Sequence, residues 1–115
     1  MAEISQAISN VISPDIRATI RSVNIDTTIV STDFSLEVDT SGGNRIITLP
    51  TAASQFSVGN NTGRIFNIKK IDSTTNSVTI TPQGADTIDG LATLIIDAKD
   101  VNYTLQSDGT NYRRL

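Results

Sequence analysis

Any chemistry in this chain has to run on carboxylates, hydroxyls and amines, because its 115 residues contain no His and no Cys. An imidazole base, a thiolate nucleophile, a disulfide framework and a zinc site are all removed, since each is built from those two residues. The carboxylates worth weighing fall in two groups. Asp86, Asp89, Asp97 and Asp100 offer the hard oxygen ligands that calcium takes, but an EF-hand loop wants acids at alternate positions and a Glu at the twelfth, and this spacing departs from it. Turn chemistry at Asp89-Gly90, a loop role for Asp86 and strand ends at Asp97 and Asp100 account for all four. Glu37 and Asp39 lie two apart on one side of a strand, where they can be imagined pairing with Asp26 or Asp33 for glycoside hydrolysis. That reaction needs one acid raised in an apolar pocket opposite a second. Alternation puts both on the face opposite Phe34, Leu36 and Val38, which is the solvent face. The expectation is therefore a protein that is not an enzyme, with no cofactor and no metal.

The basic side chains point to docking instead of catalysis. Arg17 and Arg21 sit one helical turn apart, suited to pairing with acids of a partner protein or to solubilising a short helix. Arg64, Lys69, Lys70, Arg113 and Arg114 make up most of the remaining positive charge. Nine basic against 12 acidic residues leave a net charge of −3, with no basic stripe to release counterions from phosphates, so nucleic acid is not an expected partner. No apolar run reaches the roughly 18 residues that span a bilayer, and the start of the chain lacks a signal-peptide profile. No membrane partner is expected.

The elements that position these residues change character along the chain. Ile4, Ile8, Val11 and Ile12 form one stripe at helical spacing. Ser13-Pro14-Asp15 then reads as a helix start, followed by Ile16, Ile20 and Val23 on an apolar face. From Val23 the period becomes two, as in Phe34-Ser35-Leu36-Glu37-Val38 and Val101-Asn102-Tyr103-Thr104-Leu105, with Gly/Asn/Asp turn clusters between. Strands are expected at 23–30, 34–38, 44–49, 64–71, 77–81, 93–97, 101–106 and 111–115. The fold expected is an all-β antiparallel sandwich, jelly-roll-like, of about seven or eight strands with a short N-terminal helical arm. Residues 1–22 would be the arm and 23–115 the knob. Hydrophobic residues at 37% and aromatics at 4% leave a thin Ile/Val/Leu core, which invites oligomerisation. Ile46-Ile47 and Leu94-Ile95-Ile96 lack clean alternation, and parts of these strands are expected to be covered on both faces, by a second sheet or by a neighbouring subunit.

The run Phe34-Ser35-Leu36-Glu37-Val38-Asp39-Thr40-Ser41-Gly42-Gly43, then Ile46-Ile47-Thr48-Leu49-Pro50 and Gly63-Arg64-Ile65-Phe66-Asn67-Ile68-Lys69-Lys70, resembles a small β-domain of tailed-bacteriophage fibre and capsid-decoration proteins. The likeness continues through Asp72-Ser73, Asn76-Ser77-Val78-Thr79-Ile80, Thr87-Ile88-Asp89-Gly90 and Thr104-Leu105-Gln106-Ser107-Asp108-Gly109-Thr110-Asn111-Tyr112, and covers residues 30–115. The resemblance implies a β-sandwich knob, usually trimeric, without catalytic residues. The chain departs from it at Tyr112, where a Trp is frequent, and in having some thirty residues before the knob in place of a long shaft.

Together these readings lead to the expectation of a structural virion protein on the surface of a phage particle: a capsid decoration, cement or head-fibre knob, homotrimeric, bound to the major capsid protein or another virion protein. Its anchoring or oligomer interface would be Ile4, Ile8, Val11, Ile12, Ile16, Arg17, Ile20 and Arg21, either packed on the knob or bundled with a partner. The alternative is a tail-fibre or tail-tip knob that recognises host surface glycans. Few aromatics are available for stacking on sugars, with Phe34, Phe66 and Tyr103 expected to be buried and a polar loop site around Asn60, Asn61 or Asp108 left open.

Overall fold

Alternating apolar and polar side chains can bury one face of a strand and wet the other, and this pattern fixes where strands form. The computed structural model describes residues 18–53, 55–56 and 59–115. It contains strands β1 (Ile20–Val23), β2 (Thr27–Thr28), β3 (Ser35–Val38), β4 (Arg45–Leu49), β5 (Gln55–Phe56), β6 (Gly59–Asn60), β7 (Ile65–Lys70), β8 (Val78–Pro82), β9 (Leu94–Ile96), β10 (Asn102–Ser107) and β11 (Tyr112–Arg114). The chain is all-β among the described residues, and Pro82 closes its strand where a missing N–H costs least.

Two sheets carry the fold. The first runs β1-β3-β7-β10-β11 and the second β2-β4-β8-β9, with β5 and β6 forming a separate short pair. From β1 to β8 the chain visits the two main sheets in turn, laying each new strand parallel to its predecessor: β1 to β3 to β7 in the first, β2 to β4 to β8 in the second. It then reverses, and β9, β10 and β11 are added antiparallel. The expected antiparallel sandwich is thus corrected to two mixed sheets. Period two reports which way side chains point and carries no information on the direction of the neighbouring strand.

The expected helical arm meets a second correction at its end. Ile20 and Arg21 lie in β1, paired with Ser35 and Leu36 of β3, so the arm does not extend to residue 22 as a helix. The pairing wins because it turns Val23 toward the core beside Val38, which a helical turn would not do. The helices expected over Ile4, Ile8, Val11, Ile12, Ile16 and Arg17 lie outside the described residues.

Inward-facing residues of both sheets share one core: Leu36, Val38, Phe66, Ile68 and Leu105 from the first, Ile47, Leu49, Val78, Ile80, Leu94 and Ile96 from the second. Phe66 and Tyr112 meet edge to face at 5.8 Å between ring centres. The Tyr112 hydroxyl accepts from Asn61 Nδ2 at 2.8 Å and donates to the Pro50 carbonyl. Burial pushes its pKa up to about 12, against the opposing bond from Asn61. Phe34, expected inside, is 41% exposed at the end of β3, and Tyr103 is only partly buried. Ile46 and Ile95 are 47% and 57% exposed on the outside of the second sheet, in register through Thr79, so within the chain no second sheet covers them.

Candidate functional site

Of the expected docking residues, Ile20 and Arg21 lie in β1 at one edge of the first sheet, and Ile4, Ile8, Val11, Ile12, Ile16 and Arg17 lie outside the described residues. β1 and β2 are terminal strands of their sheets, so both sheets begin at the side where residues 1–17 join the chain. The N–H groups of Ser35 and Asp39 donate to the carbonyls of Thr19 and Val23 at 2.9 Å each. In a parallel ladder this directs the alternate backbone groups, those of Ile20 and Ser22, away from β3 toward an edge that no described strand pairs. The Ile20 side chain is 70% exposed there. Such an edge is a template for adding a strand or a partner chain.

Arg21 does not project outward as a helical Arg would. It faces inward at the edge and forms a two-pronged pair with Asp33, Nε to Oδ1 at 2.9 Å and Nη2 to Oδ2 at 2.7 Å, with a further bond to the Thr28 carbonyl. Asp33, nearly buried, also accepts the Val30 N–H at 2.8 Å. Arg64 Nη2 donates to the carbonyls of Val30 and Asp33, and its guanidinium lies over the Phe66 ring, with burial lowering its pKa. The connection between β2 and β3 is held from both sides by these two arginines. No spacing in the sequence announces that clamp, because its partners come from different elements.

A second polar cluster fills the corner after β7. Lys70 is fully buried, and its ammonium donates to Thr40 Oγ1 at 2.8 Å, the Asp72 carbonyl at 3.0 Å, Asp72 Oδ2 at 2.8 Å and Thr74 Oγ1 at 3.4 Å. Asp72 also accepts the Thr40 N–H at 2.7 Å and the Thr74 hydroxyl. Burial alone would raise the Asp72 pKa. The bonds from Lys70, Thr74 and Thr40 outweigh it and hold the carboxyl far below its ordinary range. Every group serves another inside the cluster, which makes it a structural pin. Its sequence signal is present, since Lys70 follows Phe66 and Ile68 at the inward parity of β7.

The carboxylates weighed for chemistry are dispersed. Glu37 takes the Ser22 hydroxyl on the outer face of the first sheet, Asp39 caps the Ser41 N–H, Asp26 accepts the Ile46 N–H on the second sheet, and Asp33 is bound by Arg21. Asp86 accepts the Ala52 N–H at 2.7 Å, while Asp100 faces Lys69 at 3.9 Å. Among the described residues no group of three or more acids is arranged to hold a metal ion, and no helix is long and apolar enough to cross a membrane. No protein-family model and no curated protein matches the chain. What the edge offers chemically is backbone hydrogen bonding beside an exposed Ile, on a base stiffened by two arginines.

Proposed function

We propose that the chain is a structural bacteriophage virion protein, a homotrimeric capsid decoration, cement or head-fibre knob that docks on the particle through its N-terminal segment. The observation that supports this reading best is the asymmetry of the two sheets. Among the described residues both start on a parallel strand with no further strand beside it, and both end on strands added antiparallel. Attachment at the starting side leaves the opposite ends of both sheets free. The outer face of the first sheet includes a patch of short polar side chains, in which Asn67 bonds to Asn102 and Thr104, beside the exposed Ile20 and Ile65. Binding of such a knob to an assembled shell would stabilise the shell by mass action.

The test compares the wild-type chain with a variant carrying Ile4→Asp, Ile8→Asp, Ile12→Asp and Ile16→Asp, each added to particles stripped of the protein. The variant is expected to keep the wild-type melting temperature and to lose co-sedimentation with particles. Undiminished co-sedimentation would refute docking through this segment.

A further inference from the structure

We propose that the outer edge of β1 is a strand-addition site for an extended segment of a partner protein, one that sets a carboxylate side chain beside Arg21 and an apolar side chain beside Ile20. The edges of the two sheets are not equivalent. β11 is taken on its outer side: Tyr112 donates its N–H to the Thr87 carbonyl and accepts the Asp89 N–H, and the Arg114 N–H donates to Asp89 Oδ2. The Asp89–Arg114 and Asp108–Arg113 pairs, each at 3.0 Å, flank a groove there. β2 has two residues and β9 three, and very short edge strands recruit poorly. β1 has four, with an unbroken register to β3 and neither Pro nor Lys along it.

The backbone of β1 divides its groups between two sides. The carbonyls of Thr19 and Val23 accept the N–H groups of Ser35 and Asp39, and β3 runs parallel beside them. Residues alternate along such a ladder, so the N–H and C=O groups of Ile20 and Ser22 point outward. An incoming strand satisfies these four groups. Main-chain bonds of this kind supply affinity without regard to sequence, and the alternate side chains supply the choice of partner.

Arg21 makes that choice on the inner side of the edge. Its Nε and Nη2 are spent on Asp33 and the Thr28 carbonyl, while the two N–H groups of Nη1 have no partner among the described residues, and the side chain is 39% exposed. Arg64 brings a second guanidinium to the same corner, where its Nη2 donates to the Asp33 carbonyl. Two cations against the one Asp33 carboxylate leave an excess of positive charge here, on a chain whose net charge is −3. A carboxylate arriving beside Arg21 gains a charge-assisted pair. A Lys in its place meets like charge, and an apolar side chain covers the Nη1 donors without satisfying them. An arginine pointing inward therefore filters what the edge can add. The outer side asks for something else. Ile20 is 70% exposed and offers apolar surface, and the Ser22 hydroxyl already donates to Glu37, so a second acid has no place on that row.

The experiment uses the isotopically labelled full chain and two synthetic peptides, acetylated and amidated: Thr-Ile-Glu-Thr-Val-Thr, which presents the pattern to parallel docking, and its reverse, which presents it to antiparallel docking. Before any peptide is added, the amides of Ile20 and Ser22 should exchange with solvent at least about tenfold faster than those of Arg21 and Val23. Saturable shifts at residues 19–24 are expected with at least one peptide, with a dissociation constant of about 0.1–1 mM, together with slowed exchange at Ile20 and Ser22. Replacing the peptide's Glu by Lys should weaken binding at least about tenfold. Ser22→Pro removes an outward N–H and leaves the ladder to β3 in place, a change that an edge strand tolerates, and it should abolish binding. Ser22→Ala should bind as the wild type does. Amides of Ile20 and Ser22 as slow as their neighbours in the free chain would overturn the proposal, because the edge is then already paired. So would the absence of saturable shifts with both peptides, equal binding of the Lys peptide, or binding that survives Ser22→Pro, the mark of side-chain adhesion without strand addition. If Ser22→Pro does not fold, the Lys peptide and the exchange rates decide. Docking of residues 1–17 on particles is read by co-sedimentation and holds or fails apart from these outcomes.

Discussion

Lys70 keeps a charged ammonium fully buried only because four oxygen contacts from Thr40, Asp72 and Thr74 surround it. Asp72→Asn leaves that ammonium without its counter-ion, a loss of about 3 kcal/mol, to be read as a lower urea midpoint. The same pair contributes to the acid limb of stability. Asp72 ionises more readily in the folded than in the unfolded chain, so its contribution is complete above the ordinary carboxylate range and fades as pH falls below it. Asp72→Asn should flatten this acid limb. Tyr112 works in the opposite direction, with its hydroxyl pushed up to about 12 by burial. Its contribution is complete below the ordinary tyrosine value near 10 and is lost as pH climbs through the folded value. Tyr112→Phe should remove that alkaline decline in a pH series of melting curves. The inward place of Lys70 follows the parity of Phe66 and Ile68 in β7, although by residue type it counts only as one more positive charge. The Arg21–Asp33 pair was not legible, because Arg21 fits a helical face with Arg17 as well as it fits the inward parity of a strand.

Turns decide whether the antiparallel additions close the sheets correctly. Gly109, at φ 92°, ends the approach to β11, and a Cβ there would meet Thr62 Oγ1 at 2.7 Å. Gly90, at φ 81°, has nothing within 4 Å. Gly90→Ala should therefore cost only the backbone term of about 1–2 kcal/mol, and Gly109→Ala distinctly more, with amide exchange accelerated first in β10 and β11. Apart from the short β5–β6 pair, which no expected strand covered, strand positions from β3 onward were legible to within a residue or two, because alternation of burial is written directly in residue types. Strand direction was not. A parallel neighbour and an antiparallel one ask for the same alternation, so the winding of β1 to β8 between the two sheets left no mark in the period. β1 itself was hidden because Ile16, Ile20 and Val23 satisfy helical spacing, while Ile20 turns out to point away from the core.

The whole molecule has a beginning and an end that differ physically. Among the described residues one edge of each sheet is a parallel strand with no further strand beside it, braced by Arg21, Asp33 and Arg64; the other is closed by antiparallel strands and carries the Asp89–Arg114 and Asp108–Arg113 groove. The all-β architecture was legible in the period-two alternation that begins at Val23. The particle role rests on the resemblance of residues 30–115 and on the edge, and it is open to a direct count. Quantitative mass spectrometry of phage particles purified from the source culture, normalised to the major capsid protein, tests it most directly. The account predicts a copy number in the hundreds, as a head decoration requires. A dozen or so copies would move the knob to the tail, and recovery of the chain only in the particle-free supernatant would contradict a virion role altogether.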